Sequence, residues 1–174
     1  MRKIRVLLPP ADGAVAALVR HVRTLQESGH QVLVLSVDRP SRTLLDALRQ
    51  EGADLDKVHI LDVVSMMDGR APAERPRNVT FLPSPTMLEM MAMRVEQIAG
   101  RLREPYVLLD SLNTLALYNG VSAVQEFSHY LTNRLRTNGV PGDYLIRDTA
   151  EGRLLTERIS GFADELVPLP GAHP

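Results

Sequence analysis

The sequence predicts an α/β protein, a three-layer αβα sandwich built on a mainly parallel sheet. Three observations carry this. Short apolar runs alternate with amphipathic helical patterns along the whole chain, the order of βαβ units with right-handed crossovers. Runs such as Val32-Leu33-Val34-Leu35 and Val107-Leu108-Leu109 are too continuously apolar to leave one face in water. The run at 106–109 then stops abruptly at Asp110-Ser111, delivering a carboxylate and a hydroxyl to the C-terminal edge of a sheet. At 174 residues the chain is long enough for one domain with a sizeable core. No internal repeat or domain boundary divides it. One domain is expected over residues 1–169, followed by a tail at 170–174.

Taken in order, residues 4–8 form the first strand and residues 9–13 (Pro-Pro-Ala-Asp-Gly) a loop. A helix follows over about 14–28, with Asp12 as its N-cap and Gly29 at its end; Val15, Leu18, Val22 and Leu25 form its apolar stripe. Residues 32–36 are the second strand. Ser41 caps the next helix, which turns Leu44, Leu45 and Leu48 inward. Residues 58–62 are the third strand. From 65 to 77, Gly69, Pro72, Pro76 and the charged residues Asp68, Arg70, Glu74 and Arg75 predict a flexible insertion loop, either a functional lid or a plain disordered insertion. Residues 79–82 are a short extra strand.

Ser84 and Pro85 open a helix expected to run to about 103, with Leu88, Met91, Val95, Ile98 and Leu102 on one stripe. Met90 and Met93 fall off that stripe. Two readings are open for them: gap-filling under neighbouring loops, which suits a flexible thioether, or a second apolar face for a partner that also takes in Met87. After the strand at 106–110, residues 112–118 carry the chain away. Ser122 and Gln125 form a capping-box pattern for a helix with Val124, Phe127, Leu131 and Leu135 on its core side. Residues 144–146 form a strand ending in Arg147-Asp148, 151–159 a short helix and 165–168 a last strand.

Composition excludes several functions. With 44% hydrophobic and 24% charged residues the chain is an ordinary globular one, and a net charge of −1 sets up no global attraction to nucleic acid or anionic lipid. Aromatic residues are only 4%, and the arginines are dispersed rather than clustered. Nucleic-acid binding is therefore not expected. Cysteine is absent, which removes disulfides, thiol catalysis and thiolate metal sites and fits a cytoplasmic location. No apolar run approaches the about 20 residues that cross a bilayer, so no membrane partner is expected. The opening residues run straight into a strand, and no signal peptide is expected.

In this fold class ligands sit at the C-terminal ends of strands. The polar residues there are Asp38, Asp62, Asp110, Ser111, Arg147 and Asp148. Asp38, Asp110, Ser111 and Asp148 are the candidate ligand-binding set. The competing reading is that such aspartates cap loops and helices. A phospho-receiver site needs an acidic pair after the first strand and a lysine after the fifth; the chain has Pro9-Pro10 and Arg147 there. A dinucleotide fingerprint fails because only Gly13 is present in the first loop. No G-x-S-x-G elbow occurs. The five histidines (His21, His30, His59, His129, His173) are scattered and read as structural or solvated.

The segments Leu33-Val34-Leu35-Ser36-Val37-Asp38-Arg39-Pro40, His59-Ile60-Leu61-Asp62, Val107-Leu108-Leu109-Asp110-Ser111-Leu112-Asn113-Thr114-Leu115 and Gly161-Phe162-Ala163-Asp164-Glu165-Leu166-Val167-Pro168-Leu169, in that order, resemble a KaiC-like member of the RecA superfamily of P-loop ATPases. The resemblance covers almost the whole chain. It implies a RecA-like sheet in which the strand at 144–146 lies between the first strand and that at 106–110, with the strand at 32–36 on the far side of the latter. It also implies that Asp110 matches the Walker B aspartate that holds Mg²⁺, and that Asp38 and Arg39 match a pair of glutamates, one position having become a cation.

The Walker A motif is expected to be degenerate. Aligning Gly13 with the second glycine of G-x-x-x-x-G-K-[ST] puts Leu8 at the first glycine, Ala14 at the lysine and Val15 at the hydroxyl position. The only lysines are Lys3 and Lys57, so none can move in. Pro9 and Pro10 lack N–H groups for a phosphate cradle, and Asp12 puts a negative charge where phosphate would sit. ATP hydrolysis is therefore not expected, and neither a catalytic residue, a metal nor a cofactor is assigned. Two functions lead: a regulatory or scaffolding module acting through a protein partner or self-association, or a sensory domain holding a nucleotide or small molecule without turnover. An enzyme of unrelated chemistry on the same scaffold ranks third, since no nucleophile–base pair is found.

Overall fold

In a computed structural model, which describes residues 2–169, the apolar runs form the strands expected of them. The tail expected at 170–174, with His173, lies outside the described residues. In chain order the elements are β1 (Ile4–Leu8), α1 (Ala14–Glu27), β2 (Gln31–Ser36), α2 (Ser41–Gln50), β3 (Val58–Asp62), β4 (Val79–Phe81), α3 (Leu88–Ala99), β5 (Pro105–Asp110), α4 (Leu112–Asn119), α5 (Val121–Thr137), β6 (Gly142–Leu145), α6 (Ala150–Ile159) and β7 (Glu165–Pro168). The strands make one seven-stranded sheet, ordered β4-β3-β2-β5-β6-β1-β7, with every pairing parallel. β6 lies between β1 and β5, and β2 lies on the far side of β5.

The two-residue period of a strand sends alternate side chains of β2 into separate cores. Val32 and Val34 join Leu18, Val22, Leu44 and Leu48 beneath α1 and α2. Leu33 and Leu35 join Met91, Val95, Phe127 and Leu131 beneath α3 and α5. All four β2 residues are fully buried, each contributing about 1.5–3 kcal/mol of hydrophobic stabilisation. Parallel register brings the strand ends level: Ser36 lies opposite Asp62 on one side and Asp110 on the other.

Helix ends depart from the expected ones for local reasons. Gly13, at φ 73°, is the N-cap of α1 in place of Asp12, and no side chain caps that end. Pro40 rather than Ser41 precedes α2, and the Ser41 amide, now in the first turn, is capped from β3 by Asp62 Oδ2 at 2.7 Å. α3 starts at Leu88, not Ser84; the Ser84 hydroxyl accepts from the Thr86 amide and holds residues 84–87 as a turn. Residues 112–118 are not a passage but the body of α4, capped by Ser111. The capping box at Ser122 and Gln125 does not form. Both side chains instead accept from Arg158 of α6, at 3.3 and 3.1 Å.

Candidate functional site

At the C-terminal edge of the sheet the chain assembles a cluster of alternating charge. Asp110, the last residue of β5, has a carboxylate only 4% exposed, and Arg39 Nη1 donates to its Oδ2. Arg39 Nη2 lies 3.9 Å from Asp38 Oδ2, and Arg147 pairs with that same oxygen. Ser111 Oγ donates to Asp38 Oδ1 at 3.0 Å. Two carboxylates and two guanidinium groups thus neutralise each other at one sheet edge.

The backbone around the cluster is held by side chains. Ser36 Oγ donates to the Arg39 carbonyl at 2.7 Å, closing the turn after β2. Asn113 clamps the end of β6: its Oδ1 accepts from the Arg147 amide at 2.7 Å, and its Nδ2 donates to the Arg147 carbonyl at 3.1 Å and to Thr149 Oγ1 at 3.0 Å. Gly152 lies against the same carbonyl so closely that a Cβ there would sit 1.9 Å from it. Burial pushes the Asp110 carboxyl up from its ordinary range, with Arg39 opposing the shift.

The structure brings Asp38, Asp110 and Ser111 together and leaves Asp148 out. Asp148 is 79% exposed and pairs with Arg153 at 2.9 Å. Asp62 is a cap. It accepts from the amides of Ser41, Val64 and Ser65 and from the Ser65 hydroxyl, and although burial works against it, these bonds hold its carboxyl below the usual range. No residue of the loop at 65–77 takes part in the hydrogen bonds and ion pairs of the cluster. The loop's Pro72, Glu74, Pro76 and Arg77 line a separate depression of about 870 Å³, facing Arg42 and Arg49 of α2 and His59 of β3.

Gly13, Ala14 and Val15 form the turn into α1. Gly13 points into open space, Ala14 and Val15 begin the helix, and Asp12 is exposed beside them. Met87, Met90 and Met93 do converge. They line one groove of about 950 Å³ between α3 and α5. Met90 is partly buried against the core, whereas Met93 is 52% exposed, so the gap-filling and outward-facing descriptions each fit one methionine. Among the described residues no group of three or more metal-ligating side chains comes together, and no helix is long and apolar enough to cross a membrane.

A second charged network lies inside the sheet, and no local pattern of residues signals it. Asp143 of β6 is fully buried. It accepts from Arg5 of β1 at 2.7 and 2.8 Å and from the Tyr106 hydroxyl at 2.9 Å, and His21 Nε2 of α1 lies 2.7 Å away. The residues are scattered over four elements, and only the strand register and the α1 crossover bring them together.

The model of a family of unknown function (DUF7504) matches residues 6–168. No curated protein matches the sequence. Among solved structures, an uncharacterized protein from Pyrococcus horikoshii, crystallised in complex with an unknown peptide, superposes with a TM-score of 0.72 at 13% identity, over 96% of this chain and 77% of that one. A KaiC-like protein from the same organism superposes with a TM-score of 0.57 at 12% identity, over 83% of this chain and 61% of that one. At such identities the likeness establishes the fold: an α/β sandwich of the RecA/KaiC-like type.

Proposed function

The chain belongs to the family of unknown function DUF7504, and from its sheet edge we propose that it is a non-catalytic RecA/KaiC-like module, a regulatory or scaffolding protein that works by associating with other proteins. The observation that carries the reading is the pairing of Arg39 with Asp110. A Walker B aspartate acts through a carboxylate free to hold Mg²⁺. Here a guanidinium takes that place, and Arg147 does the same for Asp38.

The first loop supports the same reading. Its glycine is spent on capping α1, its prolines donate no hydrogen bonds, and Ala14 and Val15 stand where a lysine and a hydroxyl would meet phosphate. In related chemistry a single arginine finger changes the rate by about 10³–10⁵ with the cradle intact. Loss of the lysine, the metal-binding hydroxyl and the cradle together leaves no route to useful hydrolysis. The similar protein crystallised with an unknown peptide makes a polypeptide the partner of first choice.

The test is phosphate release from Mg·ATP together with calorimetry of ATP, ADP and cyclic nucleotides, with and without Mg²⁺. No turnover and no heat are expected. Turnover by the purified chain would end the non-catalytic reading. Binding heat without turnover would move it to a sensory domain holding nucleotide at Asp38, Asp110 and Ser111.

A further inference from the structure

We propose that the groove between α3 and α5 docks a basic amphipathic helix presented by a partner protein. This rests on the reading that the chain works by association, and it names the chemistry of the partner. The groove has an apolar floor and walls, in which Met90 and Phe127 meet the exposed Met93 and Tyr130. Two neighbouring helices leave a furrow that a third helix fills with side chains at three- and four-residue steps. Methionine walls adapt to whichever apolar side chains enter.

Charge selects the occupant. Glu89 of α3 and Glu126 of α5 flank the furrow, and among the described residues no basic one lines it. Neither carboxylate has a hydrogen-bond or ion-pair partner among the described residues, and both side chains belong to exposed residues. Farther along the same two helices the corresponding charge is matched internally: Arg134 of α5 grips Glu96 of α3 through contacts of 2.7 and 3.0 Å. One end of the α3/α5 seam is therefore bridged by its own acid–base pair. The other keeps its acids free over an apolar furrow. A helix with apolar residues on one face and arginine or lysine on its flanks supplies both missing partners.

The probe is a labelled synthetic helix of about 14 residues with leucines at helical spacing and arginines on its flanks, set against a twin carrying glutamate in place of each arginine. Fluorescence anisotropy with the full chain is expected to show salt-sensitive binding of the basic peptide alone. Glu89→Lys with Glu126→Lys should weaken it by about tenfold or more, while Asp56→Lys, on the α2 side of the sheet, leaves it unchanged. Met93→Asp should weaken it too, with circular dichroism showing that each variant is folded. Equal binding of the acidic twin, wild-type binding by the double variant, or no binding of the basic peptide overturns the proposal. So does self-association that Met93→Asp abolishes, which makes the groove a contact between copies. A chain that still captures protein when Met93 is Asp sinks the groove and spares the association reading. A chain that stays monomeric and captures nothing sinks the association reading as well.

Discussion

Asp110 and Asp143 are both buried carboxylates on neighbouring strands, both held by arginine, and they are solved in opposite ways. Asp143 is surrounded: Arg5, Tyr106 and His21 all reach it, and although burial works against the charge, His21 and Arg5 hold its carboxyl below the ordinary range. Asp110 has one strong partner, Arg39, and burial wins, pushing its carboxyl up. A buried charge is stabilised by the number and geometry of its donors more than by the mere presence of an opposite charge. The interior network is a finished ion cluster. The edge cluster is a set of charges that cancel while remaining less than fully satisfied.

The comparison breaks most visibly at Asp143. Asp143→Ala leaves the Arg5 guanidinium and the Tyr106 hydroxyl without their shared acceptor, and is expected to cost about 3–5 kcal/mol, read from the urea midpoint. The pH dependence carries a sign. A carboxyl held down favours folding above the ordinary carboxylate range, and that contribution is lost as pH falls through its depressed value. Asp143→Asn should therefore flatten the acid limb of the stability profile. An acid limb of unchanged steepness would show that Asp143 is no better satisfied than Asp110.

At the edge, Arg39→Ala removes the one group pulling Asp110 down. The expected cost is about 2–4 kcal/mol near neutral pH. Its pH signature is the reverse of the one above. A folded-state pKa raised above the unfolded value makes stability fall as pH rises through the window between the two, and the substitution widens that window upward. The variant should be measurably more stable at mildly acid than at neutral pH; the same midpoint at both would mean that Arg39 does not govern Asp110.

The smallest effect is expected at Gly152. A methyl group there meets the Arg147 carbonyl and Asn113 Nδ2, at 1.9 and 2.7 Å, so the end of β6 must move. Gly152→Ala should cost about 1–3 kcal/mol. It should also shift the NMR signals of Asp38 and Ser111 while leaving those of Tyr106 and His21 in place. Movement of both sets would mean that the two clusters are one mechanical unit.

The fold was legible because its signals are local. Alternating apolar runs and helical stripes appear within ten or fifteen residues, and each became a strand or helix near its expected position. Helix ends were less so, since Ser41, Ser84 and Ser122 carry the residue type of a cap without being one. Each is claimed by a neighbour in space or in the turn: Asp62, Thr86 and Arg158. That Asp38, Asp110 and Ser111 meet at one sheet edge was legible because strand ends gather polar groups in any parallel sheet. Asp148 obeys the same rule and still points away to Arg153.

By itself the sequence determined the layers, the strand segments, the proline-bearing first loop with no lysine near it, and the presence of a cation beside the second strand's acid. Tertiary structure decided what that cation does. Arg39 meets Asp110 across 71 residues, and Arg5 meets Asp143 across 138. Pairing at such separations is set by strand order and register. Those follow from the packing of both sheet faces at once, and no local window of residues contains that information.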